Sequence, residues 1–281
     1  MDRHYNHSNG PSPLAHNPVT SCYVRGLVRF PQGLRVYRRY EELTQWEAAV
    51  AKQFPALKIP ADNKARHRLH TQVDPVLLQD PECRARPEQC RTKIALAIEL
   101  VEDAIRQKVP FGVVVCAAWY LAEDLVQVLA RRRKDWISLL NKNRLLETAS
   151  FHLRDAHGWT RQLPGPHLAV EDLVPLIPAQ AYRPIRVSAD TYGCCTLSVR
   201  IPGLGRVRIV VRFEDEQRTG RSVVLVTNRV DCNAATIIGL YLQRWPTATF
   251  DQDSNRQLGF DDYRMWSTEA IGKPWCLVFV A

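Results

Sequence analysis

The spacing of apolar residues predicts two helices in the first half of the chain. Over residues 88–108, apolar side chains recur every three or four positions, and Pro110 follows the last of them. The same spacing over residues 41–54 predicts a second helix. The apolar stripe of the 88–108 helix is predicted to consist of Ile94, Ala97, Ile98, Val101, Ala104 and Ile105.

Strands are predicted around these helices. Residues 19–30 and 34–40 are rich in β-branched and aromatic side chains and are separated by Pro31-Gln32-Gly33, which predicts a hairpin. Residues 111–116 form a short, continuous apolar run, typical of a central strand that is buried on both faces. Residues 1–18 are polar, and residues 55–87 are charged and interrupted by prolines, so we expect surface loops in both places.

The second half of the chain continues with alternating elements. A helix is predicted over residues 122–133 and a strand over 136–140, so strand, turn, helix and strand follow one another as in α/β proteins, whose sites lie at the carboxyl ends of strands. Basic and apolar residues partly alternate from Arg206 to Arg212, so we expect one basic, solvated face there. The other predicted strands are 197–201, 207–213 and 223–226.

A last helix is predicted where an apolar run follows Asp231, whose side chain is expected to cap its first turn. Tyr241, Arg244, Ala248 and Asn255 would fall on one face of a helix that continued at regular pitch. Pro246 would kink that helix or start a new one, because it lacks a backbone donor.

Composition indicates a folded protein with a basic surface. The chain has 281 residues, of which 46% are hydrophobic and 24% charged, so it can form one large or two smaller domains. Its formal net charge of +9 makes a polyanion such as DNA the first partner to consider. Solvated side chains such as those of Arg131-Arg132-Arg133-Lys134 account for part of that charge.

The cysteines and the apolar runs indicate a cytoplasmic protein. The chain has 8 cysteines and no secretory signal, so we expect reduced thiols. It contains no Cys-x2-Cys pair, which is the spacing typical of a structural zinc site. The longest apolar stretch, residues 109–122, is shorter than the ~20 residues that cross a bilayer. We therefore expect neither a structural metal nor a membrane partner.

Residues near the carboxyl end resemble a motif of a known protein family. Tyr241 and Arg244, followed by Leu258-Gly259-Phe260, resemble the helix that carries the last catalytic carboxylate in bacterial insertion-sequence DDE transposases, with its spacing Tyr-x2-Arg-x3-Glu-x6-Lys. Ala248 stands where that pattern has Glu, and Asn255 where it has Lys. The residues around this helix therefore match the family, but its catalytic carboxylate is absent.

A second stretch carries the same resemblance. Asp135-Trp136-Ile137-Ser138-Leu139-Leu140 and Asn143-Arg144 are similar to the family's Asp-Trp-Ile-Ser-Leu-Leu-Lys-x-Asn-Arg, with Asn141 at the Lys position. In the family, the second catalytic Asp ends a strand two residues before a Trp-Tyr pair. Here that pair is Trp119-Tyr120, and the Asp position is Ala117.

The resemblance implies an α/β fold: a ribonuclease H-like mixed sheet with flanking helices and a mostly β insertion. It divides the chain into the first part of the core (residues 1–150), the insertion (151–228) and the helical end of the core (229–281). In the family, the first strand bears the first catalytic Asp and precedes the segment that corresponds to Tyr5-Asn6-His7-Ser8 in this chain. We therefore expect that strand to be missing.

The resemblance also implies a chemistry that this chain has lost. In the family, three carboxylates hold two Mg²⁺ or Mn²⁺ ions about 3.5–4 Å apart for phosphoryl transfer on DNA ends. Alanine supplies no ligand, so catalytic positions Ala117 and Ala248 are vestigial, and we expect no metal to bind. The nearest acids, which we do not expect to substitute, are Glu123, Asp124, Asp251 and Asp253.

Three hypotheses follow for the function. The chain is an active DDE transposase, a non-catalytic remnant that binds DNA or a full-length transposase, or the product of a decayed gene. The missing acids favour the two inactive hypotheses, which the sequence does not separate. For the binding hypothesis, the predicted contacts to phosphates are Tyr241, Arg244, Lys142 and Arg144.

Overall fold

The computed structural model describes residues 2–3, 14–15, 17–26, 28–85, 90–154, 157–218 and 220–244. Two compact units divide this part of the chain. The helical unit comprises the described residues up to Ser21 and Gly33–Leu100, and the sheet unit comprises those of Cys22–Gln32 and from Val101 onward.

The described helices are mostly short. They are α1 (Tyr40–Thr44), α2 (Trp46–Gln53), α3 (Asn63–Leu77), α4 (Pro81–Ala85), α5 (Lys93–Arg106), α6 (Glu123–Arg131), α7 (Val170–Leu176) and α8 (Ala234–Leu242).

The described strands belong to two small sheets and one large sheet. They are β1 (Asp2–Arg3), β2 (Leu14–Ala15), β3 (Asn17–Arg25), β4 (Val28–Tyr37), β5 (Val113–Cys116), β6 (Asp135–Leu139), β7 (Leu145–Glu147), β8 (His167–Ala169), β9 (Arg183–Val187), β10 (Asp190–Ile201), β11 (Gly205–Phe213) and β12 (Ser222–Thr227).

The large sheet is mixed, with the order β5-β6-β12-β11-β10-β7-β8, and β9 also pairs with β10. The strands β5 and β6 run parallel and are joined through α6, with Val113 opposite Asp135 and Cys116 opposite Ser138. The pairs β6–β12, β12–β11 and β11–β10 are antiparallel. The predicted α/β class with a mixed sheet is therefore confirmed.

The core of the sheet unit lies between the sheet and α8. This helix is apolar over most of its surface, and Ile237 and Ile238 are completely buried. They pack on Ile137, Val210 and Leu225 from three neighbouring strands. Burying branched aliphatic side chains in this way contributes roughly 1.5–3 kcal/mol each.

The cap of α8 differs from the prediction. Asn233, and not Asp231, precedes the first helical residue, and its side chain accepts a hydrogen bond from the Thr236 amide at 2.8 Å. Residue 231 lies too early, because the amide of Cys232 donates to the carbonyl of Arg229 in a turn before the helix.

The amino-terminal segment forms a hairpin, but the predicted turn and strand limits are wrong. β3 pairs with β4, and Gly26 between them has a left-handed φ of 60°. Pro31-Gln32-Gly33 lies inside β4. A two-stranded sheet tolerates Pro31, because one side of each strand makes no ladder hydrogen bonds. The predicted loop over residues 1–18 is also wrong in part, since β1 pairs with β2.

The predicted loop over residues 55–87 is wrong, because α3 occupies 15 residues of it. The helix begins after Asp62, whose carboxylate accepts from the Ala65 amide at 2.8 Å. Leu69, Val73 and Leu77 recur every fourth residue and are buried against Trp46 and Val50. The prediction missed this apolar spacing, because Pro75 and the many charged residues of the segment are typical of a loop.

Two other predicted helices need smaller corrections. The one predicted over residues 41–54 is divided at Gln45, whose φ of 51° is left-handed, into α1 and α2. The one predicted over residues 88–108 exists as α5, but its most buried residues are Leu96, Leu100 and Ala104. The buried face of α5 is therefore displaced by about one residue position from the predicted apolar stripe.

Two observations concern the cysteines and the helices. The cysteines at seven described positions are free thiols, from Cys22 to Cys232. Within the described ranges, the search for a helix long and apolar enough to cross a membrane found none.

Candidate functional site

The carboxyl end of β5 is where the sequence placed a vestigial catalytic position. All four residues of β5 are half-buried, and β6 is its one partner in the described chain, so it lies at the end of the sheet. The prediction of a central strand buried on both faces is wrong for this part of the molecule. An apolar run fits either place, because strand pairing depends on residues far away in the sequence.

Ala117 follows β5 directly and leads into a short 3-10 turn, Ala118–Tyr120. Its carbonyl accepts from the Tyr120 amide at 2.9 Å, which closes the turn. The side chain of Trp119 is 76% exposed. The methyl group of Ala117 offers no atom that binds a metal or moves a proton.

The end of α8 brings Tyr241 and Arg244 towards this strand. The Arg244 guanidinium lies over the Tyr241 ring, 5.5 Å from its centroid. Burial raises the pKa of the Cys116 thiol, against a hydrogen bond with Ser138 and the positive charge of Arg244. Arg244 therefore lies close enough to Cys116, the neighbour of Ala117, to act on it electrostatically.

Polar atoms at this site lack partners within the described chain. The Tyr241 hydroxyl and the Arg244 Nε are buried, and each is without a hydrogen-bond partner among the residues that the structure describes. A buried donor without an acceptor costs about 1–3 kcal/mol, so native proteins keep few of them.

The basic face predicted between Arg206 and Arg212 is exposed at Arg206 and half-buried at Arg208 and Arg212. Arg208 donates from Nη1 to the Cys232 carbonyl at 2.6 Å, and Arg212 lies 4.4 Å from the centroid of the Tyr192 ring. The predicted solvated face holds for Arg206, which is exposed, and is wrong for Arg208 and Arg212, because these two share a strand face with Val210 in the core beneath α8.

The other two predicted phosphate contacts lie in the turn between β6 and β7. The Lys142 side chain is exposed. Arg144 is half-buried, and its Nη2 donates to the Pro202 carbonyl at 3.4 Å. Within the described residues, no hydrogen bond, ion pair or ring contact connects this pair with Tyr241 or Arg244. The structure thus brings the four predicted residues together as two pairs.

The residues around Ala117 do not fit a two-metal site. Asp124 is exposed on α6, and Glu123 accepts from the Gln127 amide group at 3.0 Å. Asp135 begins β6 at the end away from Ala117 and accepts from the Asn228 side chain at 3.0 Å. In the described ranges, no cluster of three or more His, Cys, Asp or Glu side chains is arranged to hold a metal ion.

The remaining vestigial positions, Ala248 and Asn255, lie outside the described residues, as do Asp251 and Asp253. Sequence reasoning did not single out two residues beside Ala117. Cys116 and Ser138 lie at paired ends of the parallel strands, and Ser138 is completely buried. Both adjoin motif residues in the sequence, but only strand pairing brings them together.

Comparisons with known proteins do not name a family. No protein-family model matches the chain, and the curated proteins contain no significant match to it. The case for a function therefore rests on the chain's own motifs and on the geometry around Ala117.

Proposed function

We propose that this protein is a non-catalytic, DNA-binding member of the DDE transposase family with a ribonuclease H-like core. The observation that carries the proposal is that Tyr241 and the β5 residues Val113 and Val115 pack against the same core, with the charge of Arg244 acting on Cys116 beside Ala117. Tyr241 and Arg244 belong to the Tyr-x2-Arg motif. Ala117 occupies the position of the family's second catalytic Asp. These two motifs are more than 120 positions apart in the sequence, and their packing against one core supports the proximity that the resemblance implies.

The sheet order supports the proposed core. The parallel pair β5–β6, connected through α6, adjoins the antiparallel strands β12, β11 and β10. A mixed sheet of this kind, with its site at the carboxyl end of a strand, is what the resemblance implies. The long hairpin β10–β11 falls in the part of the chain that corresponds to the family's β insertion.

The lost chemistry follows from the side chains at the strand end. DDE catalysis needs carboxylates to hold its metal ions, and position 117 has only a methyl group. The acids of the following helix face other partners or solvent, so they do not replace it. The proposal therefore assigns no cleavage step to this protein.

DNA binding is proposed from the charge and from the exposed cations. The chain carries a formal charge of +9, and Lys142 presents its ammonium group to solvent. Lysine and arginine bind phosphate oxygens and release condensed counterions, which gives affinity without sequence specificity. The closely packed core beneath α8 favours this proposal over a decayed product that does not fold.

The proposal is tested by a salt series with a fluorescent DNA duplex. The logarithm of the association constant should fall linearly with the logarithm of salt concentration, by about 0.9 per phosphate contacted. The double variant Lys142→Gln/Arg144→Gln should reduce the slope by about 1.8, because two contacts are lost.

The matched control is Lys52→Gln/Lys58→Gln, which removes the same charge from exposed positions in and after α2. It should leave the slope within about one contact of the original. A flat salt response of the unmodified protein, or equal losses in both double variants, would contradict the proposed interface.

Loss of cleavage is tested on DNA that carries element ends. With Mg²⁺ or Mn²⁺ we expect no nicking, by the protein itself or by its Ala117→Asp variant, since one restored acid does not complete a ligand set. Nicking by the unmodified protein would overturn the non-catalytic part of the proposal and leave the DNA-binding part standing.

A further inference from the structure

A cluster of paired polar side chains lies in the helical unit. We call it the His70 cluster, and it joins α1, α2 and α3. His70 lies at its centre, stacked on the Trp46 ring with 3.9 Å between centroids and 26° between planes. Trp46 is only 1% exposed, so the imidazole covers the polar edge of a buried core. The members are Glu41, Trp46, Arg66, His70 and Asp74.

Both ring nitrogens of His70 face carboxylate oxygens. The Nε2 atom lies 2.8 Å from Oε1 of Glu41, and the Nδ1 atom lies 3.0 Å from Oδ2 of Asp74. An ionised carboxylate only accepts hydrogen bonds, and a neutral imidazole has one donor and one acceptor. Both contacts are therefore hydrogen bonds only when the ring carries two hydrogens and a positive charge.

The two carboxylates are held by other donors as well. Arg66 donates from Nε to Oε1 of Glu41 at 2.7 Å, and the indole nitrogen of Trp46 donates to Oδ1 of Asp74 at 2.7 Å. Burial by itself raises the pKa of Glu41, but the hydrogen bonds and charges of Arg66 and His70 outweigh it and hold that pKa below its usual value. Glu41 therefore stays ionised, and its contact with Nε2 is a hydrogen bond only while that nitrogen carries hydrogen.

The other groups around the ring do not supply a competing base. Glu47 of α2 is paired with Arg66. The Tyr40 ring of α1 meets the imidazole edge-on at 5.7 Å, and burial together with Asp74 raises the pKa of Tyr40 to about 12, so it stays neutral. Cys83 and Cys90 act on Tyr40 more weakly, and burial raises the pKa of the Cys90 thiol.

We propose that His70 is a proton-dependent clamp, whose positively charged ring strengthens the link that Arg66 also makes between α3 and Glu41 of α1, and which weakens that link when the ring loses a proton. Deprotonation replaces one charged hydrogen bond by a lone pair that faces a carboxylate. The contribution of the two contacts of His70 is present at mildly acidic pH and is reduced as the pH rises, whereas the contacts of Arg66 and Trp46 remain. Histidine is the side chain suited to such a change near neutrality.

The first test observes the ring directly. Spectra of the full chain labelled with ¹⁵N-histidine should show, at about pH 6, that both nitrogens of His70 carry hydrogen. The signal is assigned by its absence from the His70→Gln variant or, should that variant not fold, by elimination with variants of the other histidines. A neutral ring with one bare nitrogen at that pH would overturn the proposal.

The second test compares thermal melts at about pH 5.5 and about pH 8.5. His70→Gln should lower Tm by about 3 °C or more at the lower pH and by less than half as much at the higher pH. His67→Gln is the matched control, because His67 lies one turn earlier on α3 with an exposed side chain. It should leave Tm unchanged at both pH values.

Equal losses for His70→Gln at both pH values would mean that the ring only fills space, and the proposal would be wrong. Where the variant does not fold, the Trp46 indole N–H signal of the unmodified protein provides the readout. This signal should shift in one step as the pH rises, because Trp46 and His70 share Asp74. A constant signal would equally overturn the clamp.

Discussion

The His70 cluster and the site beside Ala117 differ in whether their buried polar atoms have hydrogen-bond partners. In the first, the indole of Trp46 and both nitrogens of His70 meet carboxylate oxygens within 3.0 Å. In the second, the Tyr241 hydroxyl and the Arg244 Nε lack any partner in the described chain. Paired donors stabilise a fold, whereas a buried donor without an acceptor costs free energy.

The largest expected effect compares two tryptophans. Trp46→Ala should lower the free energy of unfolding by about 3–5 kcal/mol, because it removes a buried aromatic ring and a donor to Asp74. Trp119→Ala should change it by less than about 0.5 kcal/mol, since that side chain is largely exposed. Denaturant unfolding measures both, and similar losses would remove the distinction between the two regions.

An intermediate effect concerns acid. The folded-state pKa of Glu41 is below its usual value of 4.5, so its contribution is present above that pH and is lost as the pH falls through the lower value. Glu41→Gln should therefore reduce stability by about 1–2 kcal/mol at neutral pH and by progressively less in acid.

Chemical unfolding at several pH values follows this change. The two stability curves should converge below about pH 4. Parallel curves for Glu41→Gln and the unmodified protein would show that the hydrogen bonds of Arg66 and His70 to this carboxylate contribute little.

The smallest effect has the opposite sign. Tyr241→Phe removes a hydroxyl that has no partner in the described chain, so stability should stay the same or rise by up to about 1 kcal/mol. Thr227→Val is the matched control, because it removes a buried hydroxyl that donates to the Trp136 carbonyl at 2.6 Å, and it should cost about 1–2 kcal/mol. A clear loss for Tyr241→Phe would show that its hydroxyl is paired in solution.

Local patterns predicted many of the elements. The helices α5 and α6 and the strands β6, β11 and β12 were found within a few residues, since apolar spacing alone identifies them. The helix α3 was missed, because Pro75 and the surrounding charges resemble a loop unless Leu69, Val73 and Leu77 are read together. The place of β5 at the end of the sheet, as far as the described residues show it, was also missed, since pairing partners are not a local property.

The candidate sites divide in the same way. The motifs around Ala117 and Arg244 were visible in the sequence, and the resemblance implied that they meet. The contact of Glu41 with His70, across 29 positions, was not visible, because one lies in a predicted helix and the other in a predicted loop.

The sequence by itself determined the alternation of helices and strands, the positive charge and the absence of a carboxylate at position 117. These properties belong to single residues or to neighbours a few positions apart. Only the tertiary structure decided which buried polar groups are paired. Pairing depends on the approach of side chains from distant elements, and a hydrogen bond tolerates errors of only a few tenths of an ångström.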